Sequence, residues 1–586
     1  MKSRVFVFLL CVLAAAAGRA AGELRSVDIE SLKITIDSDW GSRTAPGYLP
    51  VRFDVTNLGE ARVIEIVGQG TRVFRSSRGF QQGGITVRQA LRLARGERLR
   101  ITMPVPIAAA NENIRFEVRE DGRTLERFNY TGFQSGTPAA NASALIVADS
   151  FSAFSLAAAA WPRTIAGPSG GYVPAARLLD FVLEPSRLPA NWLGFTSLRA
   201  VVIGPKEWEQ LSEPQKEALL TWTACGGDLF FVDGDMTALF PGKPVPIADA
   251  DLAVAAYFFG RIHLPSSGAL TAKGLAKTLL DAALLQDANW GLPANRAADW
   301  GTIAARGFRL PIPGVEGVPA RAYLSILIVF TLLIGPVNYW ILWRKRRQVL
   351  LVLTTPVISA GFIMLLGGYV LAGEGLGVRG RAITFTMLDQ VRKQAVTRAS
   401  TSLYAAGMAP AGGLGYARDV AVYAIGPDGT GTRDQQTLDL TDAQRYTSGA
   451  IQARSPTNLE QIAFRPARER LSFNREGAGL AVVNGLDVNI TALVYKDGDT
   501  VYSLARPLAA GGRAMLIAGA ADARIEVPRD LPLAARFAYL IAHQPRGSYL
   551  AVLERSPFWD AGVSGVAERS SFHFMIGWPD GQPVQQ

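Results

Sequence analysis

Residues 323–372 read YLSILIVFTLLIGPVNYWILWRKRRQVLLVLTTPVISAGFIMLLGGYVLA: two apolar segments, Tyr323–Trp343 and Val349–Ala372, joined by Arg344-Lys345-Arg346-Arg347-Gln348. Each segment has about the 20 residues a helix needs to cross a bilayer hydrocarbon core. Neither carries a charged side chain, so the pair reads as a membrane hairpin. Short loops rich in lysine and arginine stay on the cytoplasmic side. Arg344, Lys345, Arg346 and Arg347 therefore set the topology, with the tip in the cytoplasm and both flanks in the other compartment. Gly335-Pro336 should kink the first span, because proline removes a backbone donor. Asn338 either bonds across to the second helix or sits at headgroup depth.

The first residues carry a second topological signal. Lys2 and Arg4 precede the apolar run Val5–Ala17, which ends in small residues, as a secretory signal does. Cleavage after Ala20 or Gly22 fits this layout, and a retained signal anchor would give the same topology. Cys11 follows Leu9-Leu10 and lacks the small residue that a lipoprotein cleavage site places before its cysteine, so no lipid anchor is expected. Beyond the signal only Cys225 remains, and no intrachain disulfide is available to it.

The formal charge of +10 invites a nucleic-acid reading until it is located. Lys2, Arg4 and Arg19 supply three of these charges and the hairpin loop four, which leaves about +3 for the rest of the chain. No basic stripe interleaved with aromatics is present, so nucleic acid is not expected as a partner.

Outside the hairpin, residues 22–138 read as short strands. Val51, Phe53 and Val55 alternate with Arg52, Asp54 and Thr56, the period of a half-buried strand, and Asn57-Leu58-Gly59 ends it. Val87–Leu93 and Leu99–Val105 flank Gly96 and suggest a hairpin. The expectation is an N-terminal antiparallel β-sandwich. Residues 139–300 change character. The apolar runs Ala144–Ala148, Arg199–Ile203 and Leu229–Val232 are strand-like, and a helix between the last two is marked by Ser212 as N-cap, Gln215 as its capping-box partner and Gly226-Gly227 as a stop. This pattern predicts an α/β domain with a parallel sheet. Residues 301–322 approach the membrane. Residues 380–586 are again strand-like, with a tight turn at Asp497-Gly498. Val482-Val483-Asn484-Gly485 is similar to Val55-Thr56-Asn57-Leu58-Gly59, and Pro507–Ile517 to Leu93–Val105, which suggests a second sandwich of similar plan. The fold class is thus multidomain α/β plus β with membrane helices.

Chemistry is sparse. Cys225 falls at the end of a helix rather than on a strand-to-helix elbow, and of the three histidines only His263 lies before the hairpin. A packed helix-end thiol is the expectation, with His263, His543 and His573 also structural. Asp149, Asp233 and Asp235 follow strands, where ligands of open α/β sheets gather, and are ligand-binding candidates if their strands are neighbours. Acidic residues there also cap helices and form turns. No Walker A loop, GxSxG elbow or zinc-ligand spacing occurs. No catalytic residue, metal or cofactor is expected.

Several segments together resemble a family. Leu188-Pro189-Ala190-Asn191-Trp192-Leu193-Gly194-Phe195, Arg199–Ile203, Leu211–Gln215, Leu219–Gly227, Leu229–Val232 and Ile334-Gly335-Pro336-Val337-Asn338-Tyr339 are similar to segments of uncharacterised bacterial membrane proteins with a non-catalytic, class I glutamine-amidotransferase-like periplasmic domain. Related domains occur in accessory subunits of ABC-type export and gliding systems. The resemblance spans roughly Ala144–Ala372 and implies a flavodoxin-like or amidotransferase-like α/β fold without the Cys-His elbow of the active enzymes. The resulting expectation is a non-enzymatic, multi-pass protein of the bacterial inner membrane with periplasmic N- and C-terminal domains. It would contact the lipid bilayer and act as a scaffold or accessory subunit for an envelope or membrane protein partner. An ABC-transporter accessory subunit is the alternative, and an envelope-polymer enzyme using strand-end carboxylates the third reading.

Overall fold

The structure, a computed structural model, describes residues 25–38, 47–76, 79–107, 113–130, 141–147, 164–166, 172–174, 177–198, 200–241, 248–249, 254–265, 310–315, 320–374, 377–425, 436–477, 479–519, 525–529, 531 and 534–579. The signal segment lies outside these residues. Multiple β-sheets, a smaller α/β portion and two long apolar helices make up the described chain.

Before the hairpin, a four-stranded sheet contains Arg25–Ile29, Leu32–Ser38, Gly47–Asn57 and Arg98–Ile107. Val51, Phe53 and Val55 are buried while Arg52, Asp54 and Thr56 are partly exposed, as the alternation predicts. A second sheet holds Arg62–Ser76, Ile85–Leu93, Asn113–Glu120 and Arg123–Tyr130. The two share a core in which Phe53 meets Phe116 edge-on at 5.3 Å. The expected hairpin at Gly96 is not one. Ile85–Leu93 and Arg98–Ile107 belong to different sheets, because Arg98–Ile107 pairs along its length with Gly47–Asn57 instead. Gly96 has φ +75° at the corner between sheets, a conformation suited to glycine, and donates to the Asn57 carbonyl at 2.8 Å.

In the middle region Arg177–Leu183, Asn141–Val147, Ala200–Ile203, Asp228–Phe231 and Gly260–His263 run parallel in that order, and Val254–Tyr257 and Ala248–Asp249 extend the sheet antiparallel. Every residue of Ala200–Ile203 and Asp228–Phe231 is buried, which explains why these strands are continuous apolar runs rather than alternating ones. The helix Glu213–Ala224 starts where the sequence indicates: Ser212 N–H donates to Gln215 Oε1 at 2.9 Å within a capping box. Gln215 Nε2 also donates to the Pro185 and Leu188 carbonyls, tying the helix start to the preceding loop. Trp192, Trp208 and Trp222 are core residues. Gly260 lies so close beneath the helix end that a Cβ there would stand 1.8 Å from the Thr223 carbonyl oxygen.

The hairpin comprises Ala320–Leu332, a π-helical turn over Leu333–Val337, Asn338–Arg344, and Leu351–Glu374. Pro336 sits inside the π turn, which accommodates the missing donor within a continuous helical rod. Leu324–Arg344 and Gln348–Gly368 are long and apolar enough to span a membrane, and their large side chains face outward. Asn338 is 6% exposed and donates to Thr354 Oγ1 at 3.0 Å, so its amide bonds across the hairpin.

The post-hairpin residues build a twelve-stranded sheet centred on Val378–Asp389, Gln394–Ala405 and Phe572–Trp578. Ile490–Asp497 and Thr500–Ser503 pair antiparallel around Gly498-Asp499, as the turn signal indicates. A register shift between Ile490 and Ala492 interrupts the strand period, so Ile490, Leu493 and Tyr495 are all buried.

The segments before and after the hairpin are not separate bodies. Gln436–Asp439 runs parallel to Ile85–Leu93 and adds Leu414–Tyr416 and Gln444–Ser448 to the sheet begun before the hairpin. Arg88 pairs with Asp439 at 2.9 Å beside this seam, and Ala90 N–H donates to Thr441 Oγ1. Deeper in, Tyr48 Oη donates to the Val422 carbonyl at 2.9 Å and accepts from Val422 N–H at 3.0 Å. One hydrophobic core runs through both halves.

Candidate functional site

A cleft of about 270 Å³ opens where the α/β region meets the post-hairpin sheet. Its mouth is one face of the helix Glu213–Ala224: Glu213, Lys216, Glu217 and Leu220 recur at the three- and four-residue spacing that aligns side chains along a helix. The opposite wall carries Arg392 and Gln394, from the turn that joins Val378–Asp389 to Gln394–Ala405. Trp208, Phe240 and Tyr257 form the aromatic floor.

Arg392 is the pivot of this junction. Its backbone N–H donates to Asp389 Oδ1 at 2.9 Å, and its guanidinium pairs with the other oxygen of the same carboxylate. Both side chains are buried, which makes the charge pairing necessary. The guanidinium carbon lies 5.8 Å from the Phe240 ring centre and 6.0 Å from that of Tyr257, within cation–π range. Tyr257 Oη donates to Gln394 Oε1 at 3.3 Å, and burial pushes its phenol well above the ordinary range, so it is neutral. Lys216 pairs with Glu213 at 2.9 Å at the rim. Sequence reading missed Arg392 and Gln394, although the hairpin that presents them carries a local turn signal in Gln390–Lys393.

The strand-end carboxylates are placed differently. Asp149 lies outside the described residues. The strand before it, Asn141–Val147, is separated from Asp228–Phe231 by Ala200–Ile203, so the neighbour relationship that would bring Asp149 to Asp233 and Asp235 is absent. Asp233 has φ +53° and donates its N–H to the Pro265 carbonyl, a turn geometry aspartate tolerates. Asp235 stands at the N-cap of Met236–Leu239. Its carboxyl is held below the usual range chiefly by the hydrogen bond from the Thr237 hydroxyl. Among the described residues no group of three or more His, Cys, Asp or Glu could hold a metal ion.

Cys225 is fully buried at the helix C-cap, and burial pushes its thiol far above the ordinary range. Its carbonyl accepts from Arg398 Nη2 at 3.0 Å, so a cation from the post-hairpin sheet caps this helix end. The same guanidinium stacks 4.6 Å from the Phe259 ring centre.

Two histidine clusters escaped sequence reading, because each joins strands distant in the chain. His263 stacks on Phe230 at 4.2 Å and approaches Asp228 at 3.3 Å, while Arg261 pairs with Asp228 at 3.1 Å. In the other, Thr384 Oγ1 lies 3.0 Å from His573 Nδ1, and His573 Nε2 lies 3.0 Å from Glu568. This is the hydroxyl–imidazole–carboxylate order of a catalytic relay. Thr384 and His573 are each 1% exposed in the sheet interior, so the relay is closed to substrate and serves to hold the strands together.

No protein-family model matches the chain, and no curated protein matches it. Among solved structures, the yeast delta-COP-I mu-homology domain complexed with Dsl1 WxWxV peptide aligns at 8% identity and TM-score 0.18 over 34% of this chain and 95% of that one. A Bacteroides uniformis beta-glucuronidase 2 aligns at 12% identity and TM-score 0.16 over 35% of this chain and 34% of that one. No fold or function is inferred from scores of this size.

Proposed function

We propose that this chain is a multi-pass inner-membrane protein of a bacterium, with its N- and C-terminal domains in the periplasm. It acts there as a non-enzymatic scaffold or accessory subunit of an envelope protein complex. The regions are read as a β-sandwich, an amidotransferase-like α/β domain and a sandwich-like C-terminal domain. One observation carries the reading: the parallel pairing of Gln436–Asp439 with Ile85–Leu93. A hydrogen-bonded sheet cannot thread a bilayer with open edges, so both flanks share one side, as an even number of crossings requires. The two short connections into the hairpin are also clamped. Arg381, 1% exposed, donates to the Ser570 carbonyl at 2.9 Å and to the Pro311 carbonyl at 3.0 Å, joining the segment entering the first span to the strand leaving the second. A body fused in this way presents fixed surfaces at a fixed height above the membrane, which suits a docking platform.

The test is copurification from native membranes in mild detergent with crosslinking. A stoichiometric envelope protein is the expected companion; recovery of the crosslinked chain alone would overturn the reading. An ATPase-coupled permease as the companion would select the transport-accessory form of it.

A further inference from the structure

Among the described residues the four cations of the hairpin tip have no acidic counterpart. Arg344, Lys345, Arg346 and Arg347 are all exposed, and among the described residues no carboxylate pairs with any of them. Their backbone is nonetheless ordered. Lys345 N–H donates to the Ile341 carbonyl, Arg346 N–H to Trp343 and Arg347 N–H to Leu342, so the chain curls back over the helix end and the four cations follow one another through a single ordered turn. Arg344 lies 5.6 Å from the Trp340 ring centre, and Tyr339, Trp340 and Trp343 are more than half exposed around it. The 24-residue helix Leu351–Glu374 is about 36 Å long at the 1.5 Å rise per residue, enough to cross a hydrocarbon core of about 30 Å.

We propose that the tip is a binding site for acidic phospholipid headgroups. Aromatic side chains at headgroup depth form its collar, and the cation cluster takes the phosphate oxygens, with arginine offering paired donors to each. The assignment rests on the hairpin reading above for its leaflet, but not for its chemistry. A site of this kind gives the scaffold a lipid preference on the face opposite its folded domains and favours membrane regions rich in anionic lipid.

The experiment uses the full-length protein in detergent micelles with equal amounts of phosphatidylglycerol and phosphatidylcholine, and counts retained lipids by native mass spectrometry. Phosphatidylglycerol should be retained in preference, the ratio falling roughly fivefold for each cation removed in Arg346→Gln and then Arg346→Gln/Arg347→Gln. A variant with Arg344, Arg346 and Arg347 all changed to Lys should keep a preference. Equal retention by the native protein, or a preference that survives replacement of all four cations by Gln, would overturn the proposal. So would displacement of the retained lipid by millimolar inorganic phosphate, which would make free phosphate the ligand. Orientation is read separately, by labelling Gln348→Cys with an impermeant maleimide in inside-out and right-side-out vesicles against the unsubstituted protein. Labelling from the outside would reverse the topology while leaving the micelle result standing.

Discussion

Asn57 and Asn484, 427 positions apart in the chain, make the same set of hydrogen bonds. Each is fully buried at the end of a strand, and each amide oxygen accepts from the N–H two residues on, Gly59 in one case and Leu486 in the other. Asn57 Nδ2 donates to the carbonyls of Glu60, Leu93 and Ala94, and Asn484 Nδ2 to those of Val488, Leu508 and Ala509. The backbone of each is bracketed by a glycine corner: Gly96 and Glu97 bond to Asn57, and Gly511 and Gly512 to Asn484. The same corner thus occurs once on each side of the hairpin.

Removing either amide strands several buried carbonyls. Asn57→Ala and Asn484→Ala should each lower stability by about 3 kcal/mol, measured by denaturant unfolding of the full chain in detergent. Asn→Asp should rescue neither, because a carboxylate cannot donate. A cost below about 1 kcal/mol, the size of one ordinary hydrogen bond, would show that the corner does not depend on the side chain.

At Arg381 the prediction concerns shape as well as charge. One guanidinium reaches both Ser570 and Pro311, which a single ammonium cannot do in the same geometry. Arg381→Lys should therefore speed proteolysis within residues 310–315 nearly as much as Arg381→Met. Wild-type cleavage rates in the lysine variant would refute the clamp.

The seam between the halves can be locked. Thr86 and Thr437 are register partners on adjacent parallel strands, and the strand spacing of about 4.8 Å falls within the Cα range of a disulfide. Thr86→Cys/Thr437→Cys should form an intramolecular bond that holds the two halves together after proteolysis of the hairpin. A pair that stays reduced under oxidising conditions would count against the fused sheet.

Glu460 supplies a pH dependence. It lies cross-strand from Ser400 and Tyr423, and desolvation pushes its carboxyl up to about 8, against the favourable hydrogen bond from Ser400 and the charge of Arg398. An unfolded glutamate ionises in the usual carboxylate range, so the contribution is intact below that range and is lost as pH rises through about 8. The expected slope is at most about 1.4 kcal/mol per pH unit. Glu460→Gln should flatten the dependence and stabilise the chain at pH 8 and above. An unchanged pH profile of thermal melting in that variant would remove Glu460 as its source.

Features with a local cause could be read from the sequence. The hairpin follows from length and apolarity, the helix at Ser212 from its capping box, and the strand at Val51–Val55 from its alternation, while the Asn57/Asn484 likeness was visible as two short segments. What failed was pairing. Gly96 looks the same in a hairpin as in a corner between sheets, and only Gly47–Asn57 competing for Arg98–Ile107 decides it. Gln436–Asp439 is four residues long and finds its partner some 350 residues away, so no periodicity within it could announce the contact. Arg392 and Thr384, the partner of His573, were missed for the same reason: each acquires its surroundings from another part of the chain.

The strand Ile85–Leu93 also sets a timetable. Its partner Asp439 lies 351 residues downstream of Arg88, and synthesis at roughly 5–20 residues per second delivers that partner on the order of 20–70 seconds later, after both apolar helices have been made. For that interval the earlier sheet stands with an open edge, a ready template for pairing with another nascent copy. The vulnerable moment in this protein's life is therefore its birth, and crowding of half-made chains during synthesis is the circumstance in which it should fail.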